Sequence, residues 1–279
     1  MSTASTTAAG VTAGVVNPHA VGTSLVHQVV LLARRSIRGA LSSPAGYMPG
    51  IVMPLLLLTI NSSALQDATR LPGFPSDRFL DFALVTTFMQ AGLFATSSAG
   101  LGLVRDIESG FLDRLALTPM RAGALVMAQI AGAIAIAMGA GVFYVLIGLV
   151  TRVDFHSGPL GVLALLALAA WTAFAFACIG AWIALRSGES EALQGIFPLL
   201  FASLFLSTVN MPRNLIQADW FRAVTRVNPV SYMVDGMRSL IVTGWEPRVL
   251  LEAALVLTAV SVVGVIGCAR TLRRRMART

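Results

Sequence analysis

The side chains best suited to chemistry near neutral pH are three histidines, His19, His27 and His156, and two cysteines, Cys178 and Cys268. A membrane-embedded hydrolase would need Ser beside His, or two Asp, at depth, and proton-coupled transport would need an acidic or His relay there. The histidines lie outside every long apolar run, and only Asp81 and Glu252 fall within one, both near its ends. Each cysteine sits inside an apolar run, where the thiol serves as a small hydrophobe rather than as half of a disulfide or metal site. All 20 basic residues are Arg. A phosphate-binding Walker A loop needs a Lys, so any nucleotide used by this protein binds to another chain. No catalytic residue and no metal ligand is assigned, and the sequence reads as a non-enzyme.

Two polar segments remain that are patterned rather than merely hydrophilic. The first is Arg105-Asp-Ile-Glu-Ser-Gly-Phe-Leu-Asp-Arg-Leu-Ala-Leu-Thr-Pro119, in which Ile107, Phe111 and Leu115 recur at i, i+4 and i+8. This predicts a short amphipathic helix stopped before Pro119. A solvated turn needs only a few residues, so the patterned length points to docking on a partner. The second follows Asn228-Pro229, where Val230, Met233, Val234, Met237, Leu240 and Ile241 share one helical face and Ser231, Asp235 and Arg238 lie off it. It is too short and too charged to span a membrane, which predicts a re-entrant cap shielded by neighbouring helices.

The elements that must carry these segments follow from composition. Of 279 residues, 56% are hydrophobic and 12% charged, and the mean hydropathy is +0.78, the profile of a chain dissolved in lipid. Six apolar runs approach the ~20 residues needed to cross the hydrocarbon core: about 49–65, 80–104, 122–150, 159–185, 192–212 and 249–269. The fold class is therefore all-α integral membrane. Residues 24–279 form a single transmembrane domain, and residues 1–23, rich in Ser, Thr, Ala and Gly, a disordered cytoplasmic tail. Residues 24–41 place Val26, Val30, Ala33 and Ile37 on one stripe and Arg34, Arg35 and Arg38 off it, predicting a helix on the membrane surface. Small residues in the third run, Gly132, Gly139 and Gly141 among alanines, predict close helix packing.

Arginine placement sets orientation, because short cytoplasmic loops retain positive charge. With both termini inside, twelve Arg are cytoplasmic, including the tail cluster Arg270, Arg273, Arg274, Arg275 and Arg278. Eight are external, and five of these, Arg213, Arg222, Arg226, Arg238 and Arg248, crowd the connection between the fifth and sixth runs. No internal repeat is present, so any symmetry must come from a second chain.

Over nearly its whole length the sequence resembles the type-2 ABC transporter permeases, particularly the daunorubicin-resistance branch of drug exporters. The resemblance is carried by Glu108, Gly110, Asp113, Arg114, Leu115, Thr118 and Pro119, and by Asn228-Pro229-Val230-Ser231-Tyr232 with Asp235, Met237, Arg238 and Leu240. Met211-Pro212 and Trp220 strengthen it. It implies a permease subunit in the bacterial cell membrane, paired with a second permease chain as homodimer or heterodimer. Two copies of a separate ATPase subunit, which carry the ATP and Mg, would dock on the coupling helix. Arg105 and Phe111 complete that candidate docking set, and Gly100, Gly102 and Gly110 are placed to give hinge freedom.

The resemblance further implies a pathway lined by the first, second and fifth spans. The second offers Phe82, Phe88, Met89, Gln90 and Phe94, and the fifth Phe197, Phe201, Phe205, Thr208 and Asn210. Such a lining suits an amphipathic drug, antibiotic or lipid-like substrate. Each of these side chains could instead face lipid or a neighbouring helix. Export of a polysaccharide or lipid-linked glycan, or a membrane anchor that moves nothing, are the alternative readings. Nothing in the sequence points to nucleic acid.

Overall fold

The computed structural model describes residues 25–41, 48–110 and 122–276. Among these residues the chain forms nine α-helices: α1 (Leu25–Leu41), α2 (Pro49–Ala64), α3 (Phe79–Glu108), α4 (Ala122–Val150), α5 (Gly158–Ser187), α6 (Ser190–Phe205), α7 (Asp219–Val227), α8 (Pro229–Arg238) and α9 (Pro247–Met276). A π-helical turn, Ser239–Thr243, extends α8. The expectation for residues 1–23 lies outside the described residues.

Four helices, α3, α4, α5 and α9, are long and apolar enough to cross a membrane. The helices at the first and fifth apolar runs, α2 and α6, have only 16 residues each, about 24 Å at 1.5 Å per residue. Both contain an internal proline, Pro54 and Pro198. The helix expected over 192–212 ends at Phe205 because the Asn228 amide captures the Ser203 and Leu206 carbonyls at 2.6 and 3.0 Å, supplying the partners that another helical turn would have provided.

The bundle is organised around α3, the most buried of the long helices. It packs parallel to α5 through glycines. A methyl group at Gly180 would fall on the Thr96 carbonyl oxygen, and one at Gly92 would meet the Thr172 methyl at 2.9 Å. The α5–α9 seam uses Gly264 against Cys178 and Gly267 against Trp182. Close packing therefore concentrates at glycines outside the expected set. Within that set Gly132 is pressed on Ser36, Gly141 makes ordinary contact, and Gly139 has open space beside it.

Polar contacts fix which helix ends lie together. At one end Arg78 donates to the Thr151 and Arg152 carbonyls, the His156 amide to Ile241, and the Ser157 hydroxyl to Leu240. At the other end Arg275 donates to the Leu185 carbonyl at 2.6 Å. The first of these is called the cap end and the second the tail end below. Helices α3, α5 and α9 run from cap to tail, and α4 and α6 run back.

Helix α1 packs on α4 near the tail end. Val29, Leu32, Ala33, Ser36 and Ile37 are half-buried there, while Val30, Leu31, Arg34, Arg35 and Arg38 are exposed. Its buried face is thus rotated from the expected stripe, because Ser36 nests against Gly132 and donates to Gln129 at 2.9 Å. Gly50, at the start of α2, lies against Phe94 midway along α3, and its carbonyl accepts from the Tyr144 hydroxyl at 2.7 Å. Helix α2 therefore lines only the cap-end half of the bundle.

Candidate functional site

The predicted docking segment begins as a continuation of α3. Arg105 and Glu108 belong to its last turn, and Ser109 and Gly110 terminate it, Gly110 at a φ of +66° that glycine adopts without strain. Phe111, Asp113, Arg114, Leu115, Thr118 and Pro119 lie outside the described residues. Gly100 and Gly102 are interior to an unbroken helix and pressed against Leu193 and Gln129, so they act as packing surfaces.

Beside this turn stands a polar cluster centred on Asp106, which is 5% exposed. One carboxylate oxygen accepts from Arg35 at 3.2 Å and the other from the Gln129 amide at 2.6 Å, while Ser36 donates to the Gln129 oxygen. Helices α1, α3 and α4 are thereby tied at the tail end, next to the connection between α3 and α4. The sequence reading singled out Arg105 and Glu108 and passed over Asp106 and Gln129. An isolated Gln within an apolar run was the available signal, since such a side chain needs a partner in lipid.

The candidate pathway residues divide into two groups. Phe82, Phe88, Met89 and Gln90 are fully buried within this one chain. Phe88 meets Tyr144 edge-on at 5.7 Å, and Phe82 lies under the Arg238 guanidinium, 3.7 Å from its ring centre. By contrast Phe94, Phe197 and Phe201 are half-buried and Phe205 is exposed. Their rings form a ladder from α3 onto α6 with centroid spacings of 5.4, 6.0 and 5.3 Å. Thr208 is buried, and Asn210 is half-buried at the cap end.

At the cap end the expected apolar face of α8 and its π-turn is buried throughout: Val230, Met233, Val234, Met237, Leu240 and Ile241. Asn228 caps α8, its side-chain oxygen accepting from the Val230 amide at 2.9 Å while its amide holds the end of α6. Pro229 occupies the first helical position, where a missing N–H costs nothing. Tyr232 donates to the Arg226 carbonyl at 2.7 Å, and Arg213 stacks over the Tyr232 ring. Asp235 accepts from Thr208 at 2.6 Å and pairs with Arg213 at 3.4 Å and Arg238 at 3.5 Å. Arg238, 6% exposed, donates to the Thr208 and Val209 carbonyls at 2.8 Å each. Asn228, Tyr232, Asp235 and Arg238 of this second motif thus tie α8 to α3, α6 and α7, and Pro229 starts α8.

Among the described residues, an all-helical fold with four membrane-length helices and a buried polar tie at each end is that of an integral membrane protein. Residues 27–242 match the ABC-2 type transporter family, and the chain belongs to that family. Members of this family are membrane subunits of transporters and normally work with an ABC ATPase. Among relatives, a protein described as the transport permease ycf38 of Pyropia yezoensis is 25% identical over 225 residues, 78% of this chain and 75% of that protein. Its counterpart in Porphyra purpurea is 23% identical over 222 residues, 77% and 74% of the two chains.

Proposed function

We propose that this chain is the membrane subunit of an ATP-driven exporter of the daunorubicin-resistance type, working as a dimer of permease chains with two copies of an ATPase subunit. In this reading six apolar segments, those of α2 to α6 and α9, cross a bacterial cell membrane, α2 covering the cap-end half of its crossing; α8 with its π-turn is a re-entrant cap, and both termini are cytoplasmic. The cargo is an amphipathic drug, antibiotic or lipid-like molecule, for which the ladder of Phe94, Phe197, Phe201 and Phe205 supplies apolar, polarisable contact.

The observation that carries the proposal is the continuity of α3. One unbroken 30-residue helix joins the Phe82–Arg238 contact at the cap end to Asp106 and Glu108 at the tail end. A force applied by the ATPase to the segment after Glu108 is delivered to both the aromatic ladder and the cap, because a packed helix moves as a rigid lever.

The test is reconstitution of the chain with the ATPase that co-purifies from its native membrane. Glu108→Gln and Arg114→Gln should leave the protein folded and the ATPase active, and should lower substrate moved per ATP by about tenfold. Unchanged transport in both variants, or no co-purifying ATPase in crosslinked membranes, overturns the reading.

A further inference from the structure

A cleft of about 380 Å³ opens between α1, α2, α3 and α4, within the single chain and on the other side of Phe94 from the α6 rings. Its two ends differ in chemistry. The deep part, near Gly50 and Phe94, is walled by alanines and by Ile51 and Ile136, with the hydroxyls of Ser97 and Ser98 one turn nearer the mouth. The mouth, at the tail end, carries Arg35, Arg105 and Gln129. The one acidic residue in the lining, Asp106, is paired with Arg35 and bonded by Gln129, and Arg105 leaves the mouth with a net positive charge. Helix α1 adds Arg34 and Arg38 and has no acidic residue from end to end. On the helices that form the cleft, Val30 and Leu31 of α1 and Met127 of α4 are exposed and apolar, as surfaces in contact with lipid tails are.

We infer that this cleft holds one acyl chain of an anionic phospholipid from the tail-end leaflet, with the lipid phosphate on Arg35 and Arg105. The lining of a slot of this size offers dispersion contacts to a chain lying in it, and in a bilayer the material at hand to make them is a lipid tail. Guanidinium groups at the mouth meet phosphate bidentately and are the side chains that draw anionic lipid to a membrane protein. The volume is at the lower end for small-molecule sites, fitting one narrow chain better than a bulky cargo. The lipid is a wedge between α1 and the α3–α4 pair and supports the Arg35–Asp106 tie. This inference requires only that the helices lie in a membrane and stands apart from the export reading.

The experiment uses the full chain in nanodiscs of phosphatidylcholine carrying a minor fraction of phosphatidylglycerol with a photoactivatable group in its acyl chain. Crosslinks located by mass spectrometry should fall on α3 and α4 within the cleft, and the same label on phosphatidylcholine should give about tenfold fewer. Arg35→Gln with Arg105→Gln should remove that preference. Ala137→Leu, which fills the slot and leaves the arginines alone, should abolish cleft crosslinks for both lipids. Equal labelling by the two lipids, or cleft labelling unchanged by Ala137→Leu in protein that stays monodisperse, overturns the inference. So does release of the bound lipid during ATP turnover with the partner ATPase, which would make it cargo.

Discussion

Arginine is the residue on which this protein depends most. Arg238 is buried with Phe82 on one face and two backbone carbonyls at its nitrogens, and Asp235 beside it is held by Thr208 and Arg213. Removing the guanidinium leaves those two buried carbonyls without their donors and takes from Asp235 one of its two arginine partners. Arg238→Met is therefore expected to cost about 3 kcal/mol, as for breaking other buried pairs. Asn228→Ala, which loses a helix cap and the hold on α6, should cost about 1 to 2 kcal/mol. Thermal unfolding in detergent followed by fluorescence size exclusion should rank the variants wild type, Asn228→Ala, Arg238→Met. An Arg238→Met protein as stable as wild type would show that the tie contributes little. The same contacts explain the crowding of arginine between the fifth and sixth apolar runs. Arg213, Arg222 and Arg238 are spent on internal carbonyls and carboxylates, and they do not report loop orientation as solvated arginines do.

Among the elements, α3 is the shaft and α5 its bearing. Gly180→Ala puts a methyl group on the Thr96 carbonyl, a backbone atom that cannot swing aside, so the two helices must part along their length. Gly139→Ala adds the same methyl group where nothing faces it. Expression and melting temperature should fall sharply for Gly180→Ala and stay near wild type for Gly139→Ala, and equal behaviour would remove the seam from the account. The contrast also marks what sequence could reveal. Hydropathy located the cores of the long helices, because lipid rewards apolar length directly, and missed the last seven residues of α9, where the arginines begin. The buried stripe of α8 was legible for the same reason, and Asn228, Tyr232, Asp235 and Arg238 were legible through the motif they form. Which glycines take the close contacts was not, since α4 and α5 are equally rich in small residues and only the choice of neighbour separates them. The face of α1 and the Asp106–Gln129 contact were hidden likewise. Both depend on partners far away in the chain, and a one-residue rotation of a short helix changes them.

At the scale of the whole molecule, the two ends of the bundle are chemically distinct, and charge predicts which side of the membrane each faces. At the cap end the exposed arginines Arg70, Arg78, Arg152, Arg226 and Arg248 stand among the exposed acids Asp67, Asp77, Asp154, Asp219 and Glu246, so their charge is balanced. The tail end gathers Arg34, Arg38, Arg186 and the exposed arginines Arg270, Arg273 and Arg274 of the last helix, a density of basic charge that short cytoplasmic segments retain. The tail end is accordingly expected in the cytoplasm and the cap end outside. Both native cysteines are buried, Cys268 donating to the Cys178 carbonyl at 3.2 Å, so they give little background to an external thiol reagent. Asp77 and Glu189 are exposed at opposite ends of the bundle. In intact cells a membrane-impermeant maleimide should label Asp77→Cys and spare Glu189→Cys, which should react only after the membrane is opened. The reverse pattern would invert the molecule and place the Arg105–Glu108 turn outside. No ATPase could then reach it, and the coupling role of α3 would have to be abandoned along with the orientation. Labelling of both cysteines in intact cells would instead mean that α3, α4 and α5 do not all cross, since the three crossings they make between residues 77 and 189 are what keep the two positions on opposite sides.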